Sequence, residues 1–129
     1  MRQIAARSGL FTFALAALLL VSCQNGAVRR EAIASTGGDP ARGRESIRTY
    51  GCISCHTVPG VAEAQGKVGP SLDGIGGRVY LAGHLNNNAT NLIRWIRTPQ
   101  EIVPGTAMPD MGVTERDARN ISAYLYTLR

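Results

Sequence analysis

Apolar positions follow three regimes along this chain. From Leu10 to Val21 they form a run broken only by Thr12. Over residues 24–38 they show no period: Gln24-Asn25-Gly26-Ala27-Val28-Arg29-Arg30 has no apolar stripe, and Ser35-Thr36-Gly37-Gly38 is small and flexible. From Asp39 onward, short helical stripes alternate with loops. Asp39-Pro40 is an N-cap followed by proline at the first helical position. The helix is predicted through Ala41 to about Tyr50, with Gly43, Ile47 and Tyr50 on one face and Gly51 ending it. A second helix starts at Thr90 or Asn91, places Leu92 and Ile96 on one face and stops at Pro99. A third begins at Thr114, where Thr114-x-x-Asp117 resembles a capping box with Asp in place of Glu. In it Ile121, Tyr124, Leu125 and Leu128 recur at spacings of three and four. This last face is expected to cross the first helix near Gly43, Ile47 and Tyr50, because a glycine lets a second backbone come close.

The first apolar run, at about twelve residues, is too short to span a bilayer comfortably as a helix. With Arg2 and Arg7 before it, it reads as an export signal. Leu20-Val21-Ser22-Cys23 resembles the lipobox of bacterial lipoproteins. That resemblance implies cleavage before Cys23 and at least two acyl chains on it, enough for firm anchoring. The cysteine count agrees: of three Cys, Cys52 and Cys55 form one pair and Cys23 is left over, which lipidation explains. The expected organisation is therefore a signal peptide at 1–22, a flexible tether at 23–38 and one folded domain at 39–129. Gln24, rather than Asp, after Cys23 points weakly to the outer membrane and leaves inner versus outer open.

Composition sharpens this picture. A chain of 129 residues has room for one domain. Aromatic residues make up only 5%, thin for a core built from side chains alone, and a buried prosthetic group would supply the missing apolar mass. Gly 15 and Pro 6 point to long irregular loops. The formal charge is +5, and it falls once Arg2 and Arg7 are removed. That is too weak for nucleic-acid binding, and the aromatics are not interleaved with basic clusters.

The chemistry centres on Cys52-Ile53-Ser54-Cys55-His56, a C-x-x-C-H motif of the haem-attachment type. Two thiols must reach neighbouring pyrroles while the histidine projects under the iron, and five consecutive residues near a helix end can do both. Two other readings compete. A thioredoxin-like pair calls for a strand before the motif and a βαβ pattern, neither of which is visible. Zinc would use Cys52, Cys55 and a distant ligand such as His84, but a second C-x-x-C or a spaced His pair is missing.

Further segments carry a resemblance: Val68-Gly69-Pro70-Ser71-Leu72, Asn91-Leu92-Ile93-Arg94-Trp95-Ile96-Arg97-Thr98-Pro99-Gln100, and Pro104-Gly105-Thr106-Ala107-Met108-Pro109. With the C-x-x-C-H they make residues Asp39 to Arg129 similar to the class I cytochrome c family, most of all to the haem-c domain fused to subunit II of some bacterial haem-copper oxidases. The resemblance implies an all-α fold of three to four helices and long loops wrapped around one haem c, held through Cys52 and Cys55. It implies that the Pro70 carbonyl orients His56, and that a methionine before a proline, Met108, is the second axial ligand. Met108 precedes Pro109, which biases it toward an extended conformation. Met111 and His84 stay open as rivals, His84 implying a lower potential than a His/Met pair. Trp95 is either core packing or a haem-edge contact with its indole N–H toward a propionate. Arg78 and Tyr80 are weaker propionate candidates.

With both axial positions filled, the iron passes electrons and binds no substrate. The expected function is electron transfer by Fe(III)/Fe(II) cycling in a bacterial respiratory or related chain, with no catalytic residues of its own. The expected setting is the periplasmic side of a membrane, with redox protein partners such as a terminal oxidase or a dehydrogenase. A gas sensor or peroxidase is the alternative if the sixth ligand is labile.

Overall fold

A computed structural model describes residues 24–129. The signal-type segment 1–22 and Cys23 lie outside the described residues. Helix α1 covers 24–36 and is followed by α2 (Pro40–Thr49), a single 3-10 turn (Cys52–Ser54) and a second one (Ile75–Gly77). A two-stranded antiparallel hairpin, β1 (Tyr80–Leu81) with β2 (Leu85–Asn86), leads to α3 (Ala89–Arg97), the four-residue α4 (Pro99–Ile102) and the closing α5 (Glu115–Leu125). The fold is mostly helical, as expected for a class I cytochrome c, with the small hairpin added.

The tether expectation for 23–38 is corrected: the chain is helical from 24 to 36. Val28, Ala32 and Thr36 recur every fourth residue, and Ala32 and Thr36 are both 1% exposed. Arg119 of α5 donates to the Thr36 carbonyl at 3.1 Å, and Arg129 pairs with Glu31 at 3.0 Å. The stripe is narrow and made of small side chains, so it carries no apolar signal in the sequence. It suffices because it packs against an existing surface.

Helix α2 starts as its cap dictates: Asp39 accepts from the Ala41 N–H at 2.8 Å, and Pro40 occupies the first turn. It ends at Tyr50, followed by left-handed Gly51 (φ 72°). The α2–α5 crossing is the main packing of the domain. A Cβ on Gly43 would fall on the Asn120 carbonyl of α5, so only glycine permits this approach. Asn120 also accepts from the Asp39 N–H at 2.8 Å. Ile47, Ala118, Ile121 and Leu125 fill the seam, and Leu92 and Ile96 of α3 close the core from the other side.

Helix α3 begins one to two residues earlier than expected. Asn88 is its cap and accepts from the Asn91 N–H at 2.9 Å. Pro99 does not end the helical stretch outright, because it opens α4. Helix α5 has the predicted box: Thr114 Oγ1 accepts from the Asp117 N–H at 3.2 Å. Among the described residues no helix is long and apolar enough to cross a membrane.

Candidate functional site

Only Tyr50 and the left-handed Gly51 separate α2 from the C-x-x-C-H segment. Its 3-10 turn is closed by the Cys52 carbonyl, which accepts from the Cys55 N–H at 3.2 Å and the His56 N–H at 3.0 Å. Both cysteines are free and half-buried on this one turn. Burial pushes the Cys52 thiol above its ordinary range, and the neighbouring Cys55 adds to the rise. A thioredoxin-type pair needs a lowered thiol and a strand in front; here the thiol is raised and a helix stands in front. Zinc is no better served, since no group of three His, Cys, Asp or Glu side chains gathers among the described residues.

His56 is held from two sides. Its Nδ1–H donates to the Pro70 carbonyl at 2.7 Å. A carbonyl offers only lone pairs, so this bond puts the proton on Nδ1 and leaves Nε2 free to ligate. Gly69 lies flat against the imidazole: a Cβ there would stand 2.7 Å from Nδ1 and 3.0 Å from Nε2. The 66–72 loop is itself tied to the turn. The Gly69 N–H donates to the Cys55 carbonyl at 2.8 Å, and the Leu72 N–H to the Thr57 carbonyl at 2.9 Å. The backbone thus fixes the tautomer and the plane of the ring.

Met108 sits half-buried in the loop between α4 and α5. Its carbonyl accepts from Gln100 Nε2 at 2.9 Å. Further along this loop, Met111 is 42% exposed, and its methyl lies 3.8 Å from where a Cβ on Gly51 would stand. Trp95 is half-buried on α3; the core takes in Ala89, Leu92, Ile93 and Ile96 from that helix but not Trp95. His84 is exposed in the hairpin turn, where Ala82 and Gly83 have positive φ. Arg78 donates to the Ser71 and Asp73 carbonyls at 2.6 and 2.8 Å and so braces the loop beyond Pro70. Tyr80 is 57% exposed. The structure therefore brings His56 and Pro70 into contact and sets Cys52 and Cys55 on one turn. Met108 and Trp95 share no hydrogen bond with that turn among the described residues.

The donor set fits haem c. Two reduced thiols share a turn, an imidazole is oriented with Nε2 free, and a thioether stands on a separate loop. Val68, next to the imidazole cradle, is 76% exposed, and Val79 71%, apolar side chains of the kind a porphyrin covers.

Two features escaped the sequence reading. Gln100 was noted only as part of a longer segment. Tyr50 and Asp117 were placed on facing helices but not paired, yet the Tyr50 hydroxyl donates to Asp117 Oδ2 at 2.9 Å. Thr114 Oγ1 donates to the same oxygen at 2.9 Å. These two hydroxyls, Thr114 first, hold the Asp117 carboxyl below the usual carboxylate range.

A helical domain closed by the α2–α5 crossing, with C-x-x-C-H on the turn after α2, has the class I cytochrome c fold. The sequence profile of the Cytochrome c family matches residues 40–129. Cytochrome c oxidase subunit 2 of Alkalihalophilus pseudofirmus is 38% identical over 89 residues, covering 68% of this chain and 25% of that protein. The subunit of the same name from Bacillus sp. strain PS3 is 34% identical over 96 residues, 70% of this chain and 27% of its own. Cytochrome c2 of Rhodopila globiformis is 37% identical over 105 residues, 71% of this chain and 95% of its own. The chain thus spans about a quarter of the oxidase subunits it matches and nearly all of this cytochrome c2. It belongs to the cytochrome c family. The reading as a gas sensor or peroxidase finds no support in these relatives.

Proposed function

We propose that Cys52 and Cys55 bind one haem by thioether bonds, that His56 Nε2 and the Met108 sulfur are its axial ligands, and that the domain exchanges electrons with a terminal oxidase. The observation that carries this reading is the 2.7 Å bond from His56 Nδ1–H to the Pro70 carbonyl. It sets the tautomer and makes Nε2 a stronger donor, as second-shell acceptors do for metal-bound histidines. When bound, haem supplies reversible one-electron exchange at iron. The chain's own residues keep the ligands fixed across both oxidation states. Gly69 and Pro70 hold the imidazole, and the core behind the 3-10 turn, with Ile53 and Leu72 packed against it, excludes water. Trp95, outside that core, is suited to the cofactor edge.

The oxidase partner follows from the named oxidase subunits among the relatives, whose matching segment this chain spans. The near full-length match to a cytochrome c2 fits a domain that works as a separate carrier. The setting is the periplasmic side of a bacterial membrane, with Cys23 as the lipidated residue. The Cys23→Ser protein is then expected in the soluble fraction, and its retention in the membrane would remove the anchor.

Intact-mass measurement tests the cofactor reading. The denatured wild-type protein should keep the mass of one haem, and the Cys52→Ser/Cys55→Ser protein should lose it. A wild-type chain that denatures to its haem-free mass would overturn covalent attachment.

A further inference from the structure

Gln100 stands on α4 and its side chain reaches across the loop that carries Met108. Its Nε2 donates to the Thr106 carbonyl at 2.7 Å and to the Met108 carbonyl at 2.9 Å, and its Oε1 accepts from the Gly105 N–H at 3.2 Å. One amide thus uses both donor hydrogens and an acceptor lone pair on a single loop.

The loop has few other fixed points. Pro104, Gly105, Ala107 and Pro109 are exposed, and the two prolines have no N–H to donate. The Thr106 N–H reaches the Val103 carbonyl at 3.1 Å, while the Met108 N–H reaches Thr106 Oγ1 only at 3.5 Å, at the limit of a hydrogen bond. The base of Gln100 is firm by contrast. Pro99 is buried, the Thr98 N–H donates to the Arg94 carbonyl at 2.9 Å, and Leu92 and Ile96 root α3 in the core.

We propose that Gln100 is a positioning residue for the sixth ligand: its amide clamps the 105–108 backbone to α4 and so sets how readily Met108 is displaced from iron. This rests on the reading of Met108 as ligand. A thioether is a weak, neutral ligand, so its occupancy depends on the loop that presents it. Imidazole in solution competes for the position the sulfur holds, and the clamp decides how much loop opening that competition requires.

The test is an imidazole titration of the haem-loaded, oxidised full chain, followed by absorption, for wild type, Gln100→Ala and Gln100→Glu. Gln100→Ala loses all three bonds, and imidazole affinity should rise roughly tenfold, equivalent to about 1.4 kcal/mol. Gln100→Glu keeps an acceptor for Gly105 but loses both donors and turns a carboxylate toward two carbonyl oxygens. It should raise imidazole affinity at least as much while leaving the Gly105 amide protected in hydrogen exchange. That combination separates loss of the Met108 clamp from general loosening of the loop. If Gln100→Ala does not load haem, Gln100→Glu carries the test alone. Unchanged imidazole affinity in the loaded variants overturns the proposal. A wild-type protein without the methionine–iron charge-transfer band, seen before any variant is made, overturns the Met108 reading and this inference with it.

Discussion

The two sides of the candidate haem site are held by different means. On the His56 side the fixing atoms are backbone: the Pro70 carbonyl bonds the imidazole, Gly69 lies against its face, and the Cys55 carbonyl accepts from the Gly69 N–H. On the Met108 side they are side chains: Gln100 at the start of the loop, and Tyr50, Thr114 and Asp117 at its end. Backbone scaffolding tolerates substitution at most positions but fails abruptly where an atom is added in the contact. Side-chain scaffolding can be weakened one bond at a time. The histidine side should therefore be invariant under most surface changes, and the methionine side tunable.

The largest effect should come from Gly69→Val. Its Cβ would stand within 3.0 Å of both imidazole nitrogens, so either the ring or the 66–72 loop must move. Haem loading should fall to a small fraction of wild type, read from covalent haem per chain. Normal loading would show that the backbone cradle is not what holds His56.

Ala32→Glu sharpens the comparison from outside the site. It puts a carboxylate where α1 is 1% exposed, and should cost about 2–3 kcal/mol in chemical unfolding. The axial-ligand spectrum should stay as in wild type. Such a variant separates loss of global stability from loss of Met108, and an unaltered unfolding midpoint would mean that α1 does not pack as described.

The smallest effect should be that of Asp117→Asn. The Tyr50 and Thr114 hydroxyls lose a charged acceptor, worth about 1 kcal/mol at neutral pH. The Asp117 carboxyl is held below its ordinary range in the folded chain, so its contribution is full above the unfolded carboxylate value near ~3.9. It is lost as pH falls through the lower, folded value. The difference between wild type and variant should therefore be constant from pH 5 to 7 and close in stronger acid. A gap that instead widened on acidification would contradict the pairing.

Much of this was legible in the sequence, and for a physical reason. Attachment chemistry fixes the spacing of Cys52, Cys55 and His56, and helix ends need capping groups at set positions, so Asp39-Pro40 and Thr114-x-x-Asp117 could be placed without coordinates. Gly43 was readable as a crossing point because it interrupts an otherwise regular face. Helix α1 was not readable: its stripe of Val28, Ala32 and Thr36 is too small to stand out, and its anchors, Arg119 and Arg129, lie at the far end of the chain. Asn88 was hidden among three consecutive asparagines. The hairpin was not readable either, because its strands are two residues each and its turn puts Ala82 at φ 48°, a conformation that residue type does not announce. The Gln100 clamp depends on how α4 and the Met108 loop fold back on each other, and no periodicity records that.

The most direct test of the account is the long-wavelength absorption of the oxidised, haem-loaded protein in wild type, Met108→Ala and Met111→Ala. The His56/Met108 reading predicts a weak sulfur-to-iron charge-transfer band in wild type and Met111→Ala that is absent from Met108→Ala, with a lower reduction potential in the last. A band that survives Met108→Ala but disappears in Met111→Ala, or no band in wild type at all, would contradict it.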